Sequence, residues 1–318
     1  MAVFLLGAAQ PPLFAQTEAN RPMQADEEPA QGWPNIKVPT MGGKQFWTDH
    51  CWKSGWRIQQ NAITKHWRLL DENNVRHAWG NRAACDQALA RQVRPSSNLH
   101  SHVVVLLHGL IRSADSMAAL KKALDREQRY TVFSFEYAST RGSVGEHAAA
   151  LRSVVSNLPS NSRISFVGHS MGNIVARHAI GDWQRSHDTK LLERLDSVIM
   201  LGPPNQGASI ARQLAKIGIF ELTAGAGAME LGPRWAELAK RLATPSCPFG
   251  IVAGQIETSF PQNPLVNSES SDFVVSVEET KLAGAADFVT VPRLHSFLMD
   301  DPQVQKYVSH FLQHHTFK

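Results

Sequence analysis

The run ISFVGHSMGNIVARHAI holds Ser170 between Gly168 and Gly172, two positions to either side. An apolar stretch of strand length ends at Gly168, and a helix-like pattern opens at Met171. A strand that turns at once into a helix lifts the residue at its apex out of the sheet with a strained backbone, and it crowds the flanking positions. Glycines at 168 and 172 meet that crowding. The same turn sets Ser170 at a helix N-terminus, where unpaired N–H groups favour negative charge. This is a setting for a nucleophile. A hydroxyl needs a base to take its proton, and the oxyanion formed on attacking a carbonyl needs donors.

Candidates for both partners are legible. The first apolar strand ends in LLHGLIRS, where Gly109 lets the backbone turn. The N–H groups of Leu110 and of Met171, the residue after the nucleophile, form the expected oxyanion hole. The base must come from 14 histidines. His169 adjoins the serine but should point elsewhere, and His108 at the strand end reads as structural. His310, His314 and His315 lie on or after the last helix, and His100 and His102 lie at the wrong end of the sheet. His295, in VPRLHSFLMDDP just beyond an apolar strand, remains as the base. The acid should precede it, in NSESSDFVVSVEET. Asp272, in a polar stretch before VVSV, is the leading candidate, with Glu269 as fallback; Glu278 and Glu279 read as a solvated face.

These residues need a scaffold, and the chain from residue 100 supplies its pattern. Apolar runs at 103–108, 130–137, 163–168, 197–202, 249–254 and 287–292 alternate with amphipathic stretches such as ADSMAALKKAL, VGEHAAALRSVVSNL and MGNIVARHAIGDW. In the last, DPQVQKYVSHFLQHH, Asp301 is the expected N-cap and Pro302 suits the first turn. Val304, Tyr307, Val308, Phe311 and Leu312 follow the spacing of one buried face. Strands apolar on both faces and alternating with helices predict a mostly parallel sheet covered on both sides. Ligands of such sheets sit at the carboxyl ends of the strands.

On these residues the chain resembles the α/β-hydrolase superfamily, in its lipase and esterase group, which includes bacterial triacylglycerol lipase-like and GPI inositol-deacylase-like proteins. LLHGLIRS, YASTRGSV, GHSMGNIVAR, LGPPNQGAS and the SDFVVSVEET…LHSF tail carry the resemblance, and the serine–acid–histidine order matches. It covers roughly residues 100–316. It implies an α/β-hydrolase fold and a Ser170–His295–Asp272 triad working through an acyl-enzyme on ester bonds, without cofactor or metal. One departure stands out. The group's acid is often followed by glycine, and here Phe273 follows Asp272.

The remainder of the chain bounds the reading. Of 318 residues 43% are hydrophobic, and 32 basic residues are interspersed with 28 acidic ones for a formal charge of +4. No basic run interleaved with aromatics points to nucleic acid, and no stretch approaches the roughly 18 apolar residues of a membrane span. The substrate is therefore expected to be a small-molecule or lipid ester; oligomeric state is not legible. AVFLLGAA near the N-terminus reads equally as part of an export signal, with cleavage after Ala15, or as a disordered tail, so exported and cytoplasmic locations stay open. Residues 1–45 are expected to be this segment and a linker, residues 46–95 a small tryptophan-rich β extension, and residues 96–318 the catalytic domain. The extension holds Trp47, Trp52, Trp56, Trp67 and Trp79, expected to serve packing, and a hairpin is expected around Gln60–Asn61. Cys51 and Cys85 could pair or remain buried thiols, and Cys247 is odd. Between LGPPNQGAS and FGIVAG, Ile217, Ile219, Phe220 and Leu222 suit either a modest lid for an acyl chain or the ordinary helix layer. Two further readings use the same sequence: acyl transfer to an alcohol other than water, and a non-catalytic binding protein that keeps the fold.

Overall fold

Two sheets of different construction share the chain. In the computed structural model, residues 37–40, 42–93, 100–209, 229–256 and 270–318 are described. The larger sheet has six parallel strands: β6 (His102–Leu107), β7 (Thr131–Phe135), β8 (Arg163–His169), β9 (Leu195–Leu201), β10 (Phe249–Gly254) and β11 (Asp287–Val291). Their order across the sheet is β11-β10-β9-β8-β6-β7. All six coincide with the predicted apolar runs to within a few residues. The order reverses around β6, which has β7 on one side and β8 on the other. This is the switch point at which open parallel sheets leave a crevice above their carboxyl ends. Gly109–Leu110 and Ser170 both follow these central strands. The architecture is a parallel six-stranded sheet with helices on both faces, with a small N-terminal antiparallel β extension.

Side-chain alternation decides which helix covers which face. Val103, Val105 and Leu107 of β6 pack with Phe166 of β8 under α3 (Val144–Ser156) and α4 (Met171–Arg185). Val104 and Leu106, one residue out of phase, pack with Val167 and Ile199 under α2 (Ala118–Asp125) and α5 (Pro302–His314). Burial of both sets is why the strands read as continuous apolar runs. Helix α5 begins as predicted: the Asp301 carboxylate accepts from the N–H groups of Gln303 (2.8 Å) and Val304 (3.0 Å), with Pro302 in the first turn.

The second sheet is antiparallel, ordered β1-β5-β4-β3-β2. It comprises β1 (Val38–Pro39), β2 (Trp47–Lys53), β3 (Trp56–Asn61), β4 (Trp67–Leu70) and β5 (Val75–Gly80), followed by α1 (Arg82–Gln92). Its strands begin ahead of residue 46. The expected hairpin is present, but its turn lies beyond Asn61: the Asn61 carboxamide oxygen accepts from the N–H groups of Ile63 and Thr64, both at 2.9 Å. One face buries Ile58, Leu69 and Leu89 with the free thiols Cys51 and Cys85, whose pKa values burial pushes up to about 11 and about 12. The opposite side meets the parallel sheet, where Trp52 stacks on Phe133 with ring centroids 4.5 Å apart. The fully buried Asp49 accepts from Glu136 N–H (2.8 Å) just beyond β7, and its own N–H donates to Glu136 O (2.9 Å). The proposed signal, Ala15, the lid residues Ile217, Ile219, Phe220 and Leu222, and Glu269 lie outside the described residues. Among the described residues no helix is long and apolar enough to cross a membrane.

Candidate active site

Strand β8 ends at His169 and α4 begins at Met171, so Ser170 alone makes the turn. Its φ of 52° and ψ of −123° fall outside the regions open to ordinary side chains. Such a conformation persists only when its surroundings hold it. Ser170 N–H donates to Leu201 O (2.9 Å), and its carbonyl accepts from Asn173 N–H and from Asn173 Nδ2, both at 3.1 Å. The flanking glycines are needed for space. A Cβ on Gly168 would fall 2.3 Å from Asn173 Oδ1, and one on Gly172 would fall 2.5 Å from Leu107 O. Gly109 works in the same way: a Cβ there would press to 3.1 Å from the Cβ of Ser170. The positive φ in that turn is at Ile111, at 59°.

His295 opens a 3₁₀ turn (His295–Asp300) after β11. Its Nδ1 lies 2.6 Å from Asp272 Oδ2, and its backbone N–H donates to Asp272 O at 2.9 Å. Asp272 is fully buried, and its second oxygen accepts from the N–H groups of Val274 (3.1 Å) and Val275 (2.8 Å). A carboxylate only accepts, so this bond makes Nδ1 the protonated nitrogen of the neutral ring and leaves Nε2 to take a proton. Phe273 adopts φ +81°, the left-handed conformation that a glycine would take without strain.

The Ser170 hydroxyl and the His295 ring are not hydrogen-bonded to each other here; such contacts are often long without substrate. His169 links their surroundings. Its ring centroid lies 4.8 Å from that of His295, and its Nε2 lies 2.9 Å from His295 O. Its Nδ1 and the Cβ of Ser170 both border Gly109. Burial, followed by the neighbouring His295, holds the His169 pKa well below the usual imidazole range. A neutral His169 adds no charge to oppose an imidazolium at His295. Gly202, at φ +53°, leaves room on another side: a Cβ there would stand 3.0 Å from His295 Nδ1. Among the described residues, the loop and turn hydrogen bonds include none donated by the N–H groups of Leu110 and Met171.

The other candidates are engaged elsewhere. His108 is fully buried against Tyr137, with ring centroids 4.0 Å apart, and its Nδ1 meets Gly109 O at 2.8 Å. His102 contacts Ser165 Oγ (2.8 Å) at the opposite end of the sheet. His310 Nδ1 lies 2.8 Å from Thr316 O. Glu278 is an exposed partner of Lys281. The solvated-face reading fails for Glu279, which closes a capping box with Ser276 and accepts Ser209 N–H at 2.6 Å. The sequence reading passed over the contributions of His169, Asn173 and Gly202. The asparagine three residues after the elbow serine was the one available signal. Among the described residues, no cluster of three or more His, Cys, Asp or Glu side chains could hold a metal.

Comparison with known proteins finds no match among curated sequences. Solved structures that align at low identity include three lipases and esterases. Mature lipase BlEst2 of Bacillus licheniformis is 15% identical over 65% of this chain and 89% of its own, with a TM-score of 0.47. A metagenomic carboxyl esterase is 16% identical over 64% and 68%, with a TM-score of 0.48. A thermophilic esterase from Thermogutta terrifontis is 16% identical over 69% and 92%, with a TM-score of 0.46. Residues 97–203, which carry Ser170, Leu110 and Met171, match the family described as "Putative serine esterase (DUF676)", and this segment is the part of the chain for which the resemblance to the esterase group of the α/β-hydrolases holds.

Proposed function

We propose that the chain is a serine carboxylester hydrolase whose catalytic unit is residues 96–318, with residues 46–95 as a docked extension. Ser170 Oγ attacks the ester carbonyl while His295 Nε2 takes its proton, and Asp272 steadies the imidazolium that forms. The N–H groups of Leu110 and Met171 receive the charge on the carbonyl oxygen. His295 then returns the proton to the departing alcohol, and water repeats the sequence on the acyl-enzyme. The exposed side chains of Ile111 and Phe297, next to Leu110 and two residues past His295, suit an apolar acyl or alkyl group. The observation that carries this reading is the buried Asp272–His295 pair, which leaves one imidazole nitrogen basic beside a strained serine turn.

Fluorophosphonate labelling together with hydrolysis of short and long p-nitrophenyl esters tests it. The wild-type chain should label and turn over. Ser170→Ala should do neither while melting within a few degrees of wild type. Turnover retained by that variant refutes the assignment.

A further inference from the structure

The turn that carries the proposed oxyanion donor is strained and does not hold itself. It spans Gly109–Arg112 and is closed by Arg112 N–H donating to Gly109 O at 3.3 Å. Its third residue, Ile111, sits at φ 59°. Glycine is the residue for that position, and a β-branched side chain there is an outlier. Without support the turn would relax toward negative φ at Ile111 by rotating the Leu110–Ile111 peptide unit, which shifts the backbone that carries the Leu110 amide. Bonds from outside the turn hold the two residues that follow Leu110. Ile111 N–H donates to Ser139 Oγ (3.1 Å), in the loop after β7. The carbonyl of Arg112 accepts from Gln45 Nε2.

Gln45 joins these restraints into one. Its Oε1 accepts from Ser139 Oγ (3.1 Å), from Thr140 N–H (3.1 Å) and from Thr140 Oγ1 (2.9 Å). One carboxamide therefore grips Arg112 directly and grips Ile111 through the fully buried Ser139. Gln45 lies between β1 and β2 of the antiparallel sheet, one residue ahead of the boundary expected for the extension, and not in the parallel-sheet unit. It is itself held at φ 66°.

We propose that Gln45 is a positioning residue for the oxyanion hole, supplied to the hydrolase fold by the amino-terminal extension. The inference rests on the esterase reading above. Its content is that the extension is part of the catalytic device: a carboxamide, which offers a donor and an acceptor at once, holds the Leu110 amide in the direction a developing oxyanion needs. A purely apolar residue of the same size can do neither.

The test uses the full-length chain with Gln45→Leu, Gln45→Glu and Ser139→Ala, each checked for cooperative unfolding. Gln45→Glu keeps the acceptor and loses the donor; Ser139→Ala removes the link to Ile111. If Gln45→Leu does not fold, the other two carry the test. Expected is a fall in kcat of about tenfold or more on a p-nitrophenyl ester with KM within about twofold of wild type, since the damage lies in transition-state binding. Inhibition by an alkylboronic acid, whose tetrahedral adduct on the serine uses the same hole, should weaken by a similar factor. Unchanged kcat in the folded variants overturns the proposal. So does a fall in kcat with boronate inhibition unchanged, which marks a merely structural loss. A wild-type chain inert to fluorophosphonate is a different failure: it removes the esterase reading, and this inference with it.

Discussion

Asp272 illustrates how far one side chain is constrained. One oxygen faces two backbone N–H groups and the other faces His295 Nδ1. An amide cannot meet both demands. In Asp272→Asn the carboxamide oxygen would stay with Val274 and Val275, and its NH₂ would face Nδ1. The ring would then carry its proton on Nε2 and lose its function as a base. We expect kcat to fall by about 10⁴-fold with KM little changed, measured by steady-state kinetics on a short ester. A loss of less than about tenfold would mean that Asp272 does not orient the base. The chain also contains a second set of the same residue types, Ser165, His102 and Asp196, in hydrogen-bond or near contact at the other end of the sheet. Ser165 is fully buried, so its hydroxyl is closed to substrate. Residue type and proximity alone do not make a site; exposure at the strands' carboxyl ends does.

At the scale of elements, the β8–α4 elbow explains its own sequence. The helix packs so closely on the end of β6 that Gly172 has Leu107 O within 2.5 Å of where a Cβ would be. The neighbouring atoms are backbone of a central strand and cannot swing aside. Gly172→Ala should therefore destabilise the protein by more than about 3 kcal/mol, despite alanine's better helix propensity. Urea unfolding checks this, and stability equal to wild type would refute the packing argument. The strain at Ser170 and Ile111 has a common pattern. Each adopts positive φ beside the proposed reacting atoms, and each is held by a hydrogen bond from elsewhere in the fold, Ser170 N–H to Leu201 O and Ile111 N–H to Ser139 Oγ.

At the scale of the molecule, the two sheets meet through buried polar groups as well as Trp52. Asp49 binds Gln59 Nε2 (2.7 Å) and Glu136 N–H, with Arg57 at 3.8 Å. Burial, the largest influence, raises the Asp49 pKa to about 6, against a partial opposing pull from Arg57. A carboxyl raised in the folded state holds a proton that the unfolded chain has released. Its contribution to stability is therefore greatest below about pH 4 and is lost as pH rises to about 6. Compared with Asp49→Asn, the wild type should lose up to roughly 3 kcal/mol of relative stability across that window. Denaturation at pH 4, 5, 6 and 7 measures it. A difference that does not change with pH would place the proton elsewhere.

The sequence by itself determined the six parallel strands and the helices between them, and it marked Ser170, His295 and Asp272 as the residues proposed to react. Local patterns carry all of these: strands buried on both faces write themselves as apolar runs, and a strand-to-helix turn without space writes itself as glycine. Tertiary structure alone decided how the strained turns are held. Ile111 and Phe273 occupy positive-φ positions with no glycine to mark them, and Gln45 reaches a turn more than sixty residues away. Nothing in the residues near Gln45 identifies a carboxamide's partners, because hydrogen bonds between distant segments leave no period in the sequence. The extension's attachment to the proposed oxyanion loop became visible only once the chain had brought both to the same end of the sheet.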